Sequence, residues 1–350
     1  MIRLLIVDDS ALMRRQLANL FEAEGDFEVR CARNGREALE ENLSFCPDVV
    51  TLDINMPEMD GLTALSRLML ERPVPVVMLS SLTERGALAT FEALNLGALD
   101  FVPKPGGTIS LSIDEIRAPL LAKVRGAAQV RLKPRLPGAI SRPVAPPAAG
   151  KVLVPRFASA PGVVLIGVST GGPRTLEAIL PKLPAGFPWP VLVAQHMPAS
   201  FTLAFAERMN QLCQLEVVEV NRPMALEPGT IYIGKGGADM VVARRAGRLS
   251  VLAKPEHAAH LWHPSVELLG RSVLEHVETS QVLAVMLTGM GYDGAAAFTE
   301  IRQRGGRTIA ESEESAVVFG MPAELISRGG ASVTLHAEKI AQQINSWMGC

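Results

Sequence analysis

Short runs of aliphatic and β-branched residues alternate along this chain with stretches of amphipathic, helical spacing. In the first third, Leu4-Leu5-Ile6-Val7 precedes an amphipathic stretch from Ala11 to Ala23, and Phe27 to Cys31 precedes Gly35 to Leu43. Asp48 to Leu52 precedes Leu62 to Arg72, Val76 to Leu79 precedes Arg85 to Leu96, and Phe101-Val102 precedes Ile113 to Lys123. An apolar run of strand length followed by a 3.6-period segment reads as a strand and its crossover helix. Five such repeats predict a doubly wound parallel α/β sheet. The alternation returns further on, with apolar runs at 163–166, 191–194, 215–220, 231–233, 240–243 and 282–287. A second α/β domain, also doubly wound and mostly parallel, is expected there.

The stretch between these halves breaks the pattern. From Lys123 to Pro161 there is no Asp or Glu and there are eight Lys or Arg, with seven prolines between 134 and 161. Such a segment cannot bury enough apolar surface to fold alone, and it predicts an extended, partly rigid linker. The expected division is therefore a domain at 1–123, a basic proline-rich linker at 124–159 and a second domain at 160–347.

Composition narrows the classes of function. A length of 350 residues suits two domains, and 48% hydrophobic against 20% charged residues excludes wholesale disorder. The net charge of −2 gives no basic surface for nucleic acid, which argues against a DNA-binding output domain. Cys31, Cys46, Cys213 and Cys350 are scattered without a framework, as fits reduced thiols in a cytosol. The apolar start of MIRLLIVDDS is too short for a signal peptide, and no stretch approaches the roughly 18 apolar residues of a membrane helix. A cytoplasmic protein without membrane insertion is expected.

In open parallel sheets, ligands gather beyond the carboxyl ends of the strands. In the first domain those ends carry Asp8-Asp9, Asp53, Ser80 and Lys104. Any one of them is compatible with a helix cap, since Asp and Ser favour that position. As a set they describe something else. Converging carboxylates need a cation, and hard oxygen ligands suit Mg²⁺. A lysine opposite would pair with a phosphoryl oxygen, and an aspartate could accept the phosphoryl group.

The stretches IVDDS, LDINMPEMDG, VMLSS and FVPKP make residues 1–123 resemble response-regulator receiver domains. The resemblance implies a flavodoxin-like (βα)5 fold with Asp53 as phosphoacceptor. It also implies Mg²⁺ held by Asp9, Asp53 and the backbone carbonyl of Asn55, with Asp8 assisting through water. Ser80 and Lys104 would be the switch hydroxyl and the phosphate-pairing lysine, and Lys104-Pro105 a candidate cis peptide.

In the second domain, Gly167-Val168-Ser169-Thr170-Gly171 fits G-x-S-x-G, with an apolar run before it and a helical stretch, Arg174 to Leu180, after it. The glycines allow a sharp turn that exposes the hydroxyl. The motif alone leaves open a nucleophile, an ordinary turn and an anion cradle, although no Gly-Lys-Ser/Thr ending or G-x-G-x-x-G spacing supports nucleotide binding. A serine nucleophile needs a base and a group to orient that base. His196 follows the run Val191 to Ala194, and Asp293 stands in TGMGYDG after Val282 to Leu287. Singly, each is compatible with a structural role. Together they give the order Ser, His, Asp, which differs from the Ser, Asp/Glu, His order of α/β-hydrolases.

Residues 160–347 resemble the CheB-type methylesterase family through IGVSTGGPRTL, AQHMPASFT, IYIGKGGADM, HPSVELL, LTGMGYDGA and IAESEESAVVFGMP. The resemblance implies Ser169 as nucleophile, His196 as general base and then acid, and Asp293 as the orienting carboxylate. Backbone amides at Thr170 and Met290 would form the oxyanion hole, with no cofactor for the hydrolysis. It further implies a phosphorylation-activated methylesterase and glutamine deamidase, with methyl-accepting chemotaxis receptors as substrate and a CheA-type histidine kinase as phosphodonor. A monomer is expected. An adaptor that has lost catalysis is the rival class, and the presence of all three triad residues argues against it. Lys235, Asp239 and Ala297 depart from the common family pattern. His257, His260 and His263 form H-x-x-H-x-x-H, which invites a metal. That spacing drifts around a helix, and a structural or substrate-rim role is expected instead. Residues 311–322 are expected to shape the cleft edge.

Overall fold

Each apolar run of the first domain is a strand, and each amphipathic stretch is the helix that covers it. The order is β1 (Ile2–Val7), α1 (Ala11–Glu22), β2 (Phe27–Ala32), α2 (Gly35–Ser44), β3 (Val49–Asp53), α3 (Gly61–Glu71), β4 (Val76–Ser80), α4 (Glu84–Leu96), β5 (Asp100–Pro103) and α5 (Ile109–Ala128). The strands lie in the order β2-β1-β3-β4-β5, and every pair is parallel. Helix starts follow local chemistry: Ser10, Asn34 and Asp60 each accept a backbone N–H three residues on, which caps α1, α2 and α3. Because the strand order reverses between β1 and β3, a crevice opens at their carboxyl ends. Asp8, Asp9 and Asp53 stand at that point.

The structure, a computed structural model, describes residues 1–80, 84–104, 109–130, 132, 162–257 and 259–349. It falls into two units, Met1–Pro143 and Val144–Cys350. The basic, proline-rich stretch lies outside the described residues beyond its first part, where α5 continues to Ala128, past the boundary expected at 123. The bond from Lys104 to Pro105 also runs out of the described residues.

The second unit runs β6 (Val163–Val168), α6 (Gly172–Ile179), β7 (Val191–Gln195), α7 (Ala199–Leu212), β8 (Glu216–Val220), β9 (Met224–Ala225), β10 (Thr230–Gly234), β11 (Ala238–Arg245), β12 (Arg248–Pro255), α8 (Val266–His276), β13 (Val282–Met286), α9 (Ala295–Gln303), β14 (Arg307–Glu311), α10 (Met321–Ser327), β15 (Val333–Leu335) and α11 (Ala337–Met348). Seven strands form a parallel sheet in the order β15-β14-β13-β6-β7-β10-β8. The doubly wound, mostly parallel expectation therefore holds. The run 240–243 is the exception, since it sits in an antiparallel hairpin of β11 with β12, joined by β9. The turn of that hairpin uses Ala246 and Gly247, both at positive φ, which matches the twist of antiparallel strands. Leu165, Leu192, Tyr232, Val266, Leu269, Met286, Phe298 and Met321 share one buried core that binds sheet, hairpin and helices. At β6 the chain goes first to β7 and later returns to β13 on the other side. Ser169, His196 and the loop 288–293 all leave the sheet at this reversal.

Candidate functional site

Ser169 follows β6 directly and is buried. Gly171, at φ +78°, ends the turn as the cap residue of α6, a backbone conformation that a side chain would strain. A Cβ there would also stand 2.5 Å from Val317 Cβ. The turn is fastened on three sides. Ser169 N–H donates to the Thr288 carbonyl at 2.9 Å, and the Ser169 carbonyl accepts from Gly172 N–H at 2.8 Å and from Gln195 Nε2 at 3.0 Å.

His196 is Ser169's neighbour across the sheet. Val168 pairs in register with Gln195, so the next residue of each strand is Ser169 on one and His196 on the other. The His196 N–H donates to the Val168 carbonyl at 3.1 Å and prolongs the ladder by one step. Asp293 reaches the imidazole from the third strand's loop, with Oδ2 at 2.9 Å from His196 Nε2.

Asp293 is itself held by four donors. Oδ2 also accepts Val266 N–H at 2.6 Å, and Oδ1 accepts Glu267 N–H and Ser265 Oγ, both at 3.0 Å. Burial pushes its pKa up, but the His196 bond and charge and the Val266 and Glu267 N–H groups outweigh it, so the carboxyl lies below the usual range. An ionised carboxylate only accepts, so the proton belongs on Nε2 of the imidazole. Nδ1 is then the basic nitrogen. It is buried without a hydrogen-bond partner among the described residues. The carboxylate thus meets Nε2, whereas in the serine-protease template it meets Nδ1.

Sequence reasoning did not single out Thr288, which ties these pieces together. Its carbonyl holds Ser169, its N–H donates to Glu311 Oε2 at 2.8 Å, and its hydroxyl donates to the Thr170 carbonyl at 2.8 Å. The hydroxyl oxygen also accepts Val318 N–H at 2.9 Å. Glu311 is fully buried at the end of β14, and burial raises its pKa against the pull of Thr288, Ser315 and His336. This part of 311–322 therefore supports the loop from within, where an edge role was expected. We expect Thr288→Val to destabilise the second unit by about 1–3 kcal/mol for each polar group left without its partner. Thermal melting checks this, and an unchanged melting temperature would contradict it. Among the described residues, no acceptor is found for the Met290 N–H.

The departures from the family pattern divide. Lys235 is exposed. Ala297 is buried on α9 against Gly270 of α8, where its methyl fills the space a glycine would leave. Asp239 is 1% exposed and accepts from His263 Nδ1 at 3.0 Å, Ser265 N–H at 2.9 Å and His257 N–H at 3.3 Å. His263 turns to this carboxylate, while His257 and His260 meet edge to face at 5.9 Å between ring centroids.

In the first unit, Asp8, Asp9 and Asp53 each bring a carboxylate oxygen to within 4.8 Å of the others. An all-carboxylate oxygen set of this kind fits Mg²⁺. Lys104 Nζ lies 2.7 Å from Asp8 Oδ2 and 2.8 Å from Asp53 Oδ2. Burial lowers the pKa of the ammonium, but the two carboxylates more than reverse this and keep it charged. One lysine cannot balance two buried acids. The Asp53 carboxyl is accordingly pushed up by burial and by Asp8, against Lys104 and the Asn55 N–H. Ser80 is buried at the end of β4, where its hydroxyl donates to the Gly86 carbonyl at 3.2 Å and accepts from Thr90 Oγ1 at 2.7 Å.

Comparison with known proteins places both halves of the chain in known families. Residues 164–344 match the family model of the CheB methylesterase, and residues 4–113 match that of the response regulator receiver domain. The chain is 56% identical to the protein-glutamate methylesterase/protein-glutamine glutaminase 3 of Rhodospirillum rubrum, over 99% of this chain and 96% of that protein. It is 53% identical to the corresponding protein 2 of Rhodopseudomonas palustris, over 99% and 98%. Among solved structures, the CheB methylesterase catalytic domain of Thermotoga maritima matches at 36% identity and a TM-score of 0.51, covering 53% of this chain and 98% of that one. No helix among the described residues is long and apolar enough to cross a membrane. The chain belongs to the CheB methylesterase family, with a response regulator receiver domain preceding the catalytic domain in sequence.

Proposed function

We propose that this chain is a phosphorylation-controlled serine hydrolase that removes methyl groups from glutamate γ-methyl esters of methyl-accepting chemotaxis receptors. Ser169 Oγ attacks the ester carbonyl carbon while His196 Nδ1 takes its proton. The oxyanion forms against the N–H groups of Thr170 and Met290. The imidazolium returns the proton to the departing methoxide, and methanol leaves an acyl-enzyme. Water then attacks the acyl carbon, giving its proton to Nδ1. The Ser169 ester bond breaks, Ser169 regains its proton, and glutamate is released. A glutamine side chain enters the same sequence with ammonia as leaving group. The observation that supports this reading is the pairing of an ionised Asp293 with His196 Nε2, which leaves Nδ1 as the basic nitrogen of a residue that stands next to Ser169 in the register of the adjacent strand.

Asp53 takes the phosphoryl group from a CheA-type histidine kinase. Asp9, Asp53 and the Asn55 carbonyl would hold Mg²⁺, with Asp8 reaching it through water. When bound, the ion offsets repulsion between these carboxylates and the incoming phosphoryl oxygens. Lys104 exchanges its carboxylate partners for a phosphoryl oxygen, and Ser80 supplies the switch hydroxyl.

The test is methanol release from methylated receptor membranes, and no release from any methylated receptor would sink the reading. A small phosphodonor with Mg²⁺ is expected to raise the rate by about 5- to 150-fold, the usual span of a coupling free energy. Asp53→Asn should keep the basal rate and lose this response. A wild-type rate indifferent to the donor would remove the regulatory half of the reading.

A further inference from the structure

Trp262 lies flat against His196, with ring centroids 5.5 Å apart and an interplanar angle of 3°. Two further contacts belong to the loop after β13. Tyr292 meets it edge-on at 5.4 Å, and a Cβ on Gly291 would come within 2.9 Å of indole Cη2 and Cζ2. We propose that Trp262 is a positioning residue for the hydrolysis, a wedge between the His196 imidazole and the 290–292 loop that fixes the ring plane of the general base.

This rests on the hydrolase reading, and the need for such a wedge follows from ring geometry. Asp293 holds His196 at Nε2, nearly opposite the atom that joins the ring to its side chain. A bond at that point fixes a position and leaves the ring free to turn about the line joining the two. Turning swings Nδ1 around that line while the Asp293 bond survives. A flat contact over the ring face stops that rotation, as the indole does here. When Ser169 loses its proton the imidazole becomes a cation, and an aromatic face against it is then more favourable than before. The contact is thus stronger in the transition state than in the resting enzyme, which is the condition for raising kcat.

The segment that carries the indole is fastened on both sides in sequence. Asp239 accepts from His257 N–H on one side of Trp262 and from His263 Nδ1 and Ser265 N–H on the other. Ser265 Oγ in turn donates to Asp293. The segment that carries Trp262 is therefore tied to the carboxylate that orients His196, and Asp239 gains a role that its place in the sequence did not reveal.

The experiment uses the full chain with Trp262→Leu and Trp262→Phe. Leucine keeps apolar bulk without a face, whereas phenylalanine keeps a face. On methylated receptor membranes Trp262→Leu should lower kcat by about 30-fold with KM within about twofold, and Trp262→Phe should recover kcat to within about threefold of wild type. Labelling of Ser169 by a small fluorophosphonate, which needs an activated serine but no receptor, should slow in parallel. Equal rescue by leucine and phenylalanine would overturn the proposal, as would a Trp262→Leu defect confined to KM with labelling unchanged. Absence of Ser169 labelling in the wild type would overturn the hydrolase reading and this inference together. Wild-type labelling that Trp262→Leu does not slow would overturn this inference alone.

Discussion

Ser169→Ala is expected to reduce methanol release from methylated receptors by about ten-thousandfold to a millionfold, with the fold intact. The size of the effect follows from the covalent route, because no other group supplies the oxygen that displaces methoxide. The hydroxyl also contributes little to the architecture. The turn is held by the Ser169 N–H to Thr288 and by the Ser169 carbonyl to Gly172 and Gln195, and all of these survive in alanine. The melting temperature and KM should therefore stay close to wild type while kcat collapses. Residual activity above about one per cent would mean that another nucleophile, or direct attack by water, carries the reaction. The same assay disposes of the adaptor class, which predicts no methanol release from the wild type to begin with.

Asp293→Asn should cost nearly as much activity and, unlike the serine change, should also destabilise the protein. All four groups facing the Asp293 carboxylate are donors: His196 Nε2, Val266 N–H, Glu267 N–H and the Ser265 hydroxyl. A carboxylate accepts from all of them. An amide offers one oxygen, and its NH₂ then points at two donors whichever way it turns. If the NH₂ faces His196, the imidazole must accept at Nε2 and carry its proton on Nδ1, the wrong tautomer for removing a proton from Ser169. A kcat loss of about ten-thousandfold is the magnitude for that error. If the NH₂ faces the α8 end instead, the Glu267 N–H loses its acceptor in a buried site, at a cost of about 1–3 kcal/mol.

The pH dependence has a definite sign. The Asp293 carboxyl has a lower pKa folded than unfolded, so the folded state binds its proton less readily. Its stabilisation is fully present above the ordinary aspartate value of about 3.9 and is lost as the pH falls through the lower folded value. Acid unfolding of the wild type should therefore be steeper below about pH 4 than that of Asp293→Asn. Parallel acid transitions would show that this carboxylate is not linked to folding.

Much of the chemistry was legible along the chain because parallel sheets gather their strand ends. Asp8, Asp9, Asp53, Ser169 and His196 each close an apolar run. Once the runs are strands of one hand, their ends meet at the points where strand order reverses. Runs buried on both faces carry a strong signal, as in β3, β4, β6 and β13, whose residues are all buried. The hairpin β11–β12 and the short β14 and β15 were harder to read. The run 240–243 gave no sign of its antiparallel pairing, which depends on a turn at Ala246-Gly247, and β14 and β15 are short strands that pair in parallel with neighbours.

The sequence by itself determined two α/β units, the identity of the acid, serine and histidine positions, and the order in which they occur. Those features follow from local periodicity and residue type, which need no knowledge of distant neighbours. Only the tertiary structure decided which imidazole nitrogen meets Asp293, that Thr288 joins the serine turn to Glu311, and that Trp262 covers His196. Each of these contacts links residues tens of positions apart through packing and loop geometry. A hydrogen bond or a ring stack has no periodicity to betray it, because its energy exists only once the core has brought the partners to within a few ångströms.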